Sequence, residues 1–478
     1  MLFNSFAFAI FLPVVFILYW ALPHRFRWVL MLVASYYFYM SWNIKYIFLI
    51  LFTTLISYEA AGLLEHAGSK KKKKWILAVA TILCLGVLFF FKYFNFVSAS
   101  VADFLSLFAI HMNPLTLKVL LPVGISFYTF QTLSYVIDVY RGDVPAEHHF
   151  GYYAAFISFF PQLVAGHIER TRNLLPQIKA EHKFDYEQAT YGLKLMAWGF
   201  FKKIVIADTL AQYVSAVYDT PQNFQGFALV LATGFFTIQI YCDFSGYSDI
   251  AIGTAKLLGV NLMTNFKSPY FSASVREFWN RWHVSLSTWF RDYVYIPLGG
   301  NRVGKVRHAL NVMITFLVSG LWHGANWTFV VWGGIHGAAQ IVENAVIPKK
   351  KQSTGIVWWI KIFVVFVFVS FAWIFFVSNS MGDAAYVIGH LFDNIRNPIK
   401  YLHDGFVKIG MDKVMFAREM ILVAIMGVFD FLSVKTDVIS QLSRKNLVVR
   451  WAVYICLGLI IVFFSQKGVA AEFVYFQF

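Results

Sequence analysis

The chain has 478 residues, of which 59% are hydrophobic and only 14% charged, and its formal net charge is +15. Soluble domains carry roughly 25% charged residues, so the composition excludes a soluble globular protein and points to an all-α polytopic membrane protein surrounded by lipid. The excess of lysine and arginine sits in short connections between apolar segments, as the positive-inside rule expects, and not as a nucleic-acid footprint; no nucleic acid is expected as a partner.

Apolar segments fall at 5–22, 28–42, 46–64, 75–91, 94–110, 117–137, 151–166, 189–207, 225–241, 310–321, 325–346, 356–377, 417–433 and 449–466. Several are shorter than the roughly 20 residues of a straight span, so some are expected to be re-entrant or tilted. They run almost end to end, and one integral domain covering 1–478 is expected, with no internal repeat of the kind inverted-repeat transporters carry. The first residues lack the basic region of a signal peptide, and the first positive cluster, His24, Arg25 and Arg27, follows the first apolar segment. That order predicts an uncleaved anchor with the N-terminus outside. Lys70–Lys74 and Lys349–Lys351 are then both expected on the cytoplasmic side. Cys84, Cys242 and Cys456 are scattered in apolar sequence without metal or disulfide spacing, and are expected as buried, inert thiols.

Three stretches break the apolar pattern. Leu121–Gln131 places Pro122 and Gly124 ahead of polar groups that include Gln131, which fits either a broken membrane helix lining a cavity or an ordinary kinked one. Phe159–Arg170 reads as a turn ending a short apolar segment, with Glu169 and Arg170 as a local ion pair. From Tyr241 to Asn301 the chain becomes polar and aromatic together, with Asp243, Ser245, Tyr247, Ser248 and Asp249 first, then Asn265, Lys267 and Ser268. At about 100° per residue, Arg276, Asn280, His283, Ser287 and Arg291 fall on one stripe of a helix, and Phe278, Trp282 and Trp289 nearly opposite. Such a helix either lies in the interface plane or lines a water-filled cavity whose arginines hold phosphates.

Ionisable groups at membrane depth are functional candidates by default. His323 lies in Trp322-His323-Gly324-Ala325-Asn326, His336 in Gly333-Gly334-Ile335-His336-Gly337, and His283 follows Trp282. Glycines beside His323 and His336 let another helix or a ligand approach closely. A single such histidine is most simply a core group bonded to a neighbouring helix; three together with an aromatic, basic helix point to proton handling. The separation of His323 from His336 places them on different helical faces, and no metal site is expected.

Pro122–Gln131, Asp243-Phe244-Ser245-Gly246-Tyr247-Ser248-Asp249, Phe278–Tyr293 with Tyr295-Ile296-Pro297-Leu298-Gly299-Gly300, Leu321–Gly324 and Glu472–Phe478 together resemble the membrane-bound O-acyltransferases. The likeness is to the bacterial branch that holds alginate O-acetylase and the D-alanyl transfer protein of teichoic acids, and it covers essentially the whole chain. The one departure is His167, where relatives often carry proline. The resemblance implies a ring of about 11 or more transmembrane helices with re-entrant and interfacial helices around a central tunnel, its core motifs within 117–346. It implies His323 as catalytic residue and His283 as a second important histidine. It further implies acetyl-CoA as donor substrate, with no permanently bound cofactor, an extracytoplasmic SGNH-type or related acetyl-accepting protein as partner, and a polysaccharide acceptor at a bacterial inner membrane. Acyl transfer to a hydroxyl needs a base for the alcohol proton; His323 fits that role, or that of acyl carrier, and His283 would orient it or protonate the leaving thiolate. Arg276, Asn280, Arg291 and Lys267 are candidates for holding the donor's phosphates. Trp322, Asn326, Trp282, Ser287, His336, Asp243 and Gln131 are candidates for lining the substrate path. The alternatives are D-alanyl or other acyl transfer from a carrier protein, or, in another class, a flippase for a polysaccharide precursor with histidines as proton relays.

Overall fold

The computed structural model describes residues 1–163, 166–346, 354–464 and 473–474. The described residues are helical, with no strand. They form two compact units, residues 1–193 with 251–263, and residues 194–250 with 264–478. Lys349–Lys351, Glu472 and Tyr475–Phe478 lie outside the described residues.

Five helices among the described residues are long and apolar enough to cross a membrane: Ile44–Glu65, Lys70–Ser106, Phe227–Leu257, Gly355–Val377 and Leu447–Phe464. The Lys305–His323 helix shows which solvent the fold is built for. Val306, Leu310, Ile314 and Val318 form an exposed apolar stripe, whereas Asn311, Ser319 and His323 are buried. Apolar outside and polar inside is the pattern of a helix solvated by lipid, where polar groups must turn to the protein interior. The protein is a multi-pass membrane protein.

Several boundaries differ from the sequence reading. The segments at 75–91 and 94–110 form one helical run, because Phe89–Tyr93 holds no breaker and the chain passes it in a π turn. Ser69 caps that run by accepting from the Lys72 N–H, so Lys70–Lys74 open the helix and are not a loop. Their charge opposes the helix dipole, so the cluster does not stabilise the helix it opens. Residues 110–122 are not helical, and the helix expected from 117 begins at Ile125, after Gly124 at φ +77°. Cys84 and Cys242 are buried, but Cys456 is exposed on the Leu447–Phe464 helix, which buries none of its residues.

In the first unit, Gln131 Nε2 donates to the Phe156 carbonyl at 3.1 Å and Gln131 Oε1 accepts from Gln162 at 3.3 Å. Glu169 feels the charge of its neighbour Arg170, and its oxygens also accept the Met263 N–H and the Asn173 amide, each at 2.6 Å.

In the second unit, the Phe227–Leu257 helix continues through the polar run that sequence placed beyond the span at 225–241. Buried lysines explain how. Lys203 Nζ lies 2.6 Å from Asp243 and 2.7 Å from Asp208, and Lys202 Nζ lies 2.7 Å from Asp249 and 2.9 Å from Ser245 Oγ. Gly199 and Gly246 make this possible: a Cβ on either would stand 2.6 or 2.7 Å from the other's carbonyl oxygen, so their backbones pack directly. A buried charge is tolerated when paired and hydrogen-bonded, and each carboxylate here has its lysine.

Candidate active site

The site is built on a helical hairpin, Lys305–His323 and Trp327–Val346. Gly320 and Gly333 set its spacing. A Cβ on Gly320 would lie 2.2 Å from the Phe329 carbonyl oxygen, and one on Gly333 would lie 2.3 Å from that of Phe316. Gly324 gives room to the Phe329 ring, 2.1 Å from where a Cβ would stand. The glycines around the histidines therefore serve helix contact, as small residues do in membrane bundles.

His323 is the last residue of its helix and is buried, at 3% exposure. Its Nδ1 lies 2.7 Å from the Ser319 carbonyl oxygen, one turn back. A carbonyl only accepts, so in the neutral ring Nδ1 carries the proton and Nε2 carries the lone pair. That is the tautomer a base or nucleophile needs. Trp322, Trp332 and Phe376 surround the ring, with centroids 5.1, 4.9 and 5.6 Å away.

His336 lies beyond Trp332, at 5.1 Å from it. The Trp279 indole N–H donates to His336 Nδ1 at 3.3 Å, which leaves the neutral ring's proton on Nε2. His323 and His336 thus present opposite tautomers on either side of one tryptophan. Trp332 stacks on Trp373 at 5.5 Å, and Trp282 packs on Trp373 at 5.2 Å. Among the described residues, the indole nitrogens of Trp282, Trp332 and Trp373 are buried without an acceptor. Donors so placed are available to a polar group entering this aromatic nest.

The stripe at 276–293 is not one helix. It breaks into Val275–Arg281 and Val284–Phe290, followed by a π turn at Arg291–Tyr295. His283 sits at the break, fully buried, with φ +42°. Left-handed backbone at a non-glycine residue costs on the order of 1 kcal/mol and is held only by its surroundings. Asn265 supplies them: its carbonyl accepts the Val284 N–H at 2.9 Å and its Oδ1 accepts the Ser285 N–H at 3.2 Å. The helical periodicity therefore misplaced His283 relative to Arg276 and Arg291. It turns inward to Phe244, 4.6 Å away, and Trp322, 6.4 Å away. Trp322 borders both His283 and His323.

The remainder of the stripe faces a cavity of about 870 Å³, lined by Arg276, Asn280, Ser287 and Arg291 among others. Lys305, His308 and Asn344 line it too, as does Ser319, whose carbonyl holds His323. The cations are partly offset: Arg276 bonds Asn344 and lies 3.8 Å from Glu343, and Arg291 pairs with Asp292 at 2.8 Å. Sequence reasoning missed Lys305 and His308; the signal was the basic run Arg302–His308 after Gly299-Gly300.

Other candidates fall elsewhere. Lys267 does not line the cavity; its backbone N–H donates to the Arg281 carbonyl at 3.0 Å. Asn326 is used in capping, accepting the Thr328 N–H at 3.1 Å and donating to the Asn379 carbonyl at 2.9 Å. Asp243 belongs to the Lys203 ion pairs. Gln131 lies in the first unit.

A lipid-facing helical fold around a buried histidine with its lone pair on Nε2, beside a cavity lined by cations, can supply what acyl transfer in a membrane requires. The chain belongs to the membrane-bound O-acyltransferase family, whose model matches residues 144–382, and it is an O-acyltransferase. It is 41% identical to the probable alginate O-acetylase AlgI of Pseudomonas syringae pv. tomato, over 81% of this chain and 74% of that protein. It is 30% identical to the peptidoglycan O-acetyltransferase of Helicobacter pylori, over 100% of this chain and 98% of that protein. A teichoic acid D-alanyltransferase of Streptococcus thermophilus is 31% identical over 48% of this chain and 58% of its own length.

Proposed function

We propose that this protein moves acetyl from cytoplasmic acetyl-CoA across the membrane to an extracytoplasmic acceptor, for O-acetylation of a cell-surface or exported polysaccharide. The observation that carries this is the single turn of helix linking donor cavity and histidine: Ser319 lines the cavity, and its carbonyl holds His323 in the tautomer with Nε2 basic. Arg276, Arg291 and Lys305 give the cavity the cationic character that CoA phosphates require, and Asn280, Ser287 and His308 add polar contacts. The thioester then reaches toward His323. Nε2 takes the proton of the attacking hydroxyl, the new ester C–O bond forms as the C–S bond breaks, and the proton passes to the leaving thiolate. His283 shares Trp322 with His323 and orients the site from the other side.

The same proposal includes the ring of helices around a central tunnel, an inner-membrane location with the N-terminus outside, and an SGNH-type secreted protein as first acetyl acceptor. The alginate O-acetylase and peptidoglycan O-acetyltransferase similarities support a polysaccharide as final acceptor. Cells carrying His323→Ala test this. Base-releasable acetate on surface polysaccharide should vanish while membrane protein level stays normal. Full acetylation in that strain would remove His323 from the chemistry, and loss of a different acyl group, such as D-alanine, would replace the donor.

A further inference from the structure

Phe473 and Val474 are buried in the second unit, Phe473 against Phe244, the ring that borders His283, and nothing in the chemistry above uses them. Phe473 is fully buried and Val474 nearly so, at 6% exposure. The Phe473 ring stacks on Tyr247 at 4.6 Å with an interplanar angle of 21°, and meets Phe244 edge-on at 5.3 Å. Phe244 is the ring against which His283 packs, at 4.6 Å and 77°. The Val474 N–H donates to Asp243 Oδ2 at 2.8 Å, and Asp243 Oδ1 lies 2.6 Å from Lys203. Residues far apart in sequence, Asp243, Phe244 and Tyr247 on one helix and Phe473 and Val474 near the end of the chain, thus pack together, and through Phe244 they meet His283.

We infer that Phe473 and Val474 form a positioning element of the acyl-transfer centre: Phe473 braces Phe244 and hence His283, while the Val474 N–H fixes the Asp243 carboxylate on which Lys203 is paired. The inference rests on the placing of His283 at that centre. Its physical basis is the strain at His283. A residue held at φ +42° relaxes when its surroundings loosen, and the ring lies against Phe244 at 4.6 Å and Phe266 at 6.4 Å. Phe244 in turn has Phe266 and Phe473 as ring neighbours, so removing the Phe473 ring opens a void directly behind the ring that supports the histidine. Geometric errors near 1 Å at a reacting centre are worth on the order of a hundredfold in rate. Among the described residues that line the donor cavity neither Phe473 nor Val474 appears, so loss of the element should be felt in turnover and not in donor binding.

The test uses the full chain in native membranes and in nanodiscs, with Phe473→Ala, Phe473→Leu and Phe473→Tyr. Surface O-acyl ester released by mild base reports activity whichever acyl donor operates. Nanodisc protein with the donor that supports wild-type turnover separates kcat from KM. Phe473→Ala should lower ester content and kcat at least tenfold, with donor KM within twofold and membrane abundance and melting temperature near wild type. Phe473→Tyr, which keeps the ring, should stay within twofold of wild type. If Phe473→Ala fails to accumulate, Phe473→Leu carries the measurement, with an expected loss of three- to tenfold per folded molecule. Wild-type turnover in the accumulating variant, a loss proportional only to folded protein, or an effect confined to donor KM would each overturn the inference. Wild-type protein that is inactive with acetyl-CoA but active with another donor would refute the proposed donor and leave this comparison intact.

Discussion

Gly333→Ala should impair turnover far more than Gly334→Ala, one residue away. A Cβ on Gly333 would stand 2.3 Å from the Phe316 carbonyl oxygen and 3.2 Å from the Gly320 Cα. Ordinary contact begins near 3.4 Å, so the helices must part by about 1.1 Å at the Phe316 carbonyl. Both partners at that point are backbone, which cannot rotate away as a side chain does. Overpacking of this kind costs about 1–3 kcal/mol. His323 ends the displaced helix, and a shift near 1 Å of a reacting group is worth on the order of a hundredfold in rate. At Gly334 the added Cβ meets only Leu317 Cδ2, at 3.5 Å. The assay is acyl transfer per folded molecule in nanodiscs, alongside thermal melting. Gly333→Ala should lose about a hundredfold in turnover, and Gly334→Ala should remain within about twofold (on the order of 0.4 kcal/mol in barrier height). Equal effects from the two substitutions, or full activity in Gly333→Ala, would refute the link between hairpin spacing and the placement of His323.

Lys203→Met removes the cation shared by Asp208 and Asp243 and leaves two buried carboxylates, an error worth about 3–5 kcal/mol; folded yield in membranes should collapse, and normal yield would contradict the pairing. Lys305→Gln should raise the donor KM by roughly three- to tenfold, about 1 kcal/mol for one exposed charge contact, with kcat little changed, whereas Lys267→Gln should leave both constants alone because Lys267 does not line the cavity. Asn265→Ala strips the acceptor from the Ser285 N–H and leaves a buried donor unsatisfied, at about 1–3 kcal/mol; turnover should fall with it, and unchanged kinetics would show that His283 needs no such support.

The parts of this fold that sequence made legible are those where one element follows one pattern. The 310–321 and 325–346 segments became the hairpin that carries His323 and His336, because apolar length and flanking glycines are local properties. The 276–293 stripe failed for a nonlocal reason. Its periodicity was helical throughout, yet Asn265 binds the N–H groups of Val284 and Ser285 and holds a break at His283 that no propensity encodes. Four of the five stripe residues, Arg276, Asn280, Ser287 and Arg291, still reached the cavity, while His283 turned to the interior. The polar run at Asp243–Asp249 was read as leaving the membrane pattern, since its partners Lys202 and Lys203 lie some forty residues away in an otherwise apolar segment. Two lysines in a span are themselves the signal for buried counter-charges. The motif near the chain's end was recognisable as a resemblance, but its contacts with Asp243, Phe244 and Tyr247 exist only in the folded chain.

In the proposed reaction His323, held by Ser319, handles the proton of acetyl transfer. Purified protein in nanodiscs, given radiolabelled acetyl-CoA and an acceptor hydroxyl, tests it most directly when wild type and His323→Gln are compared at saturating donor. Loss of a positioned base is worth about 10²–10⁴ in rate. Both CoA release and acceptor labelling should drop by that factor, with donor KM retained. Labelling by His323→Gln at the wild-type rate would contradict it.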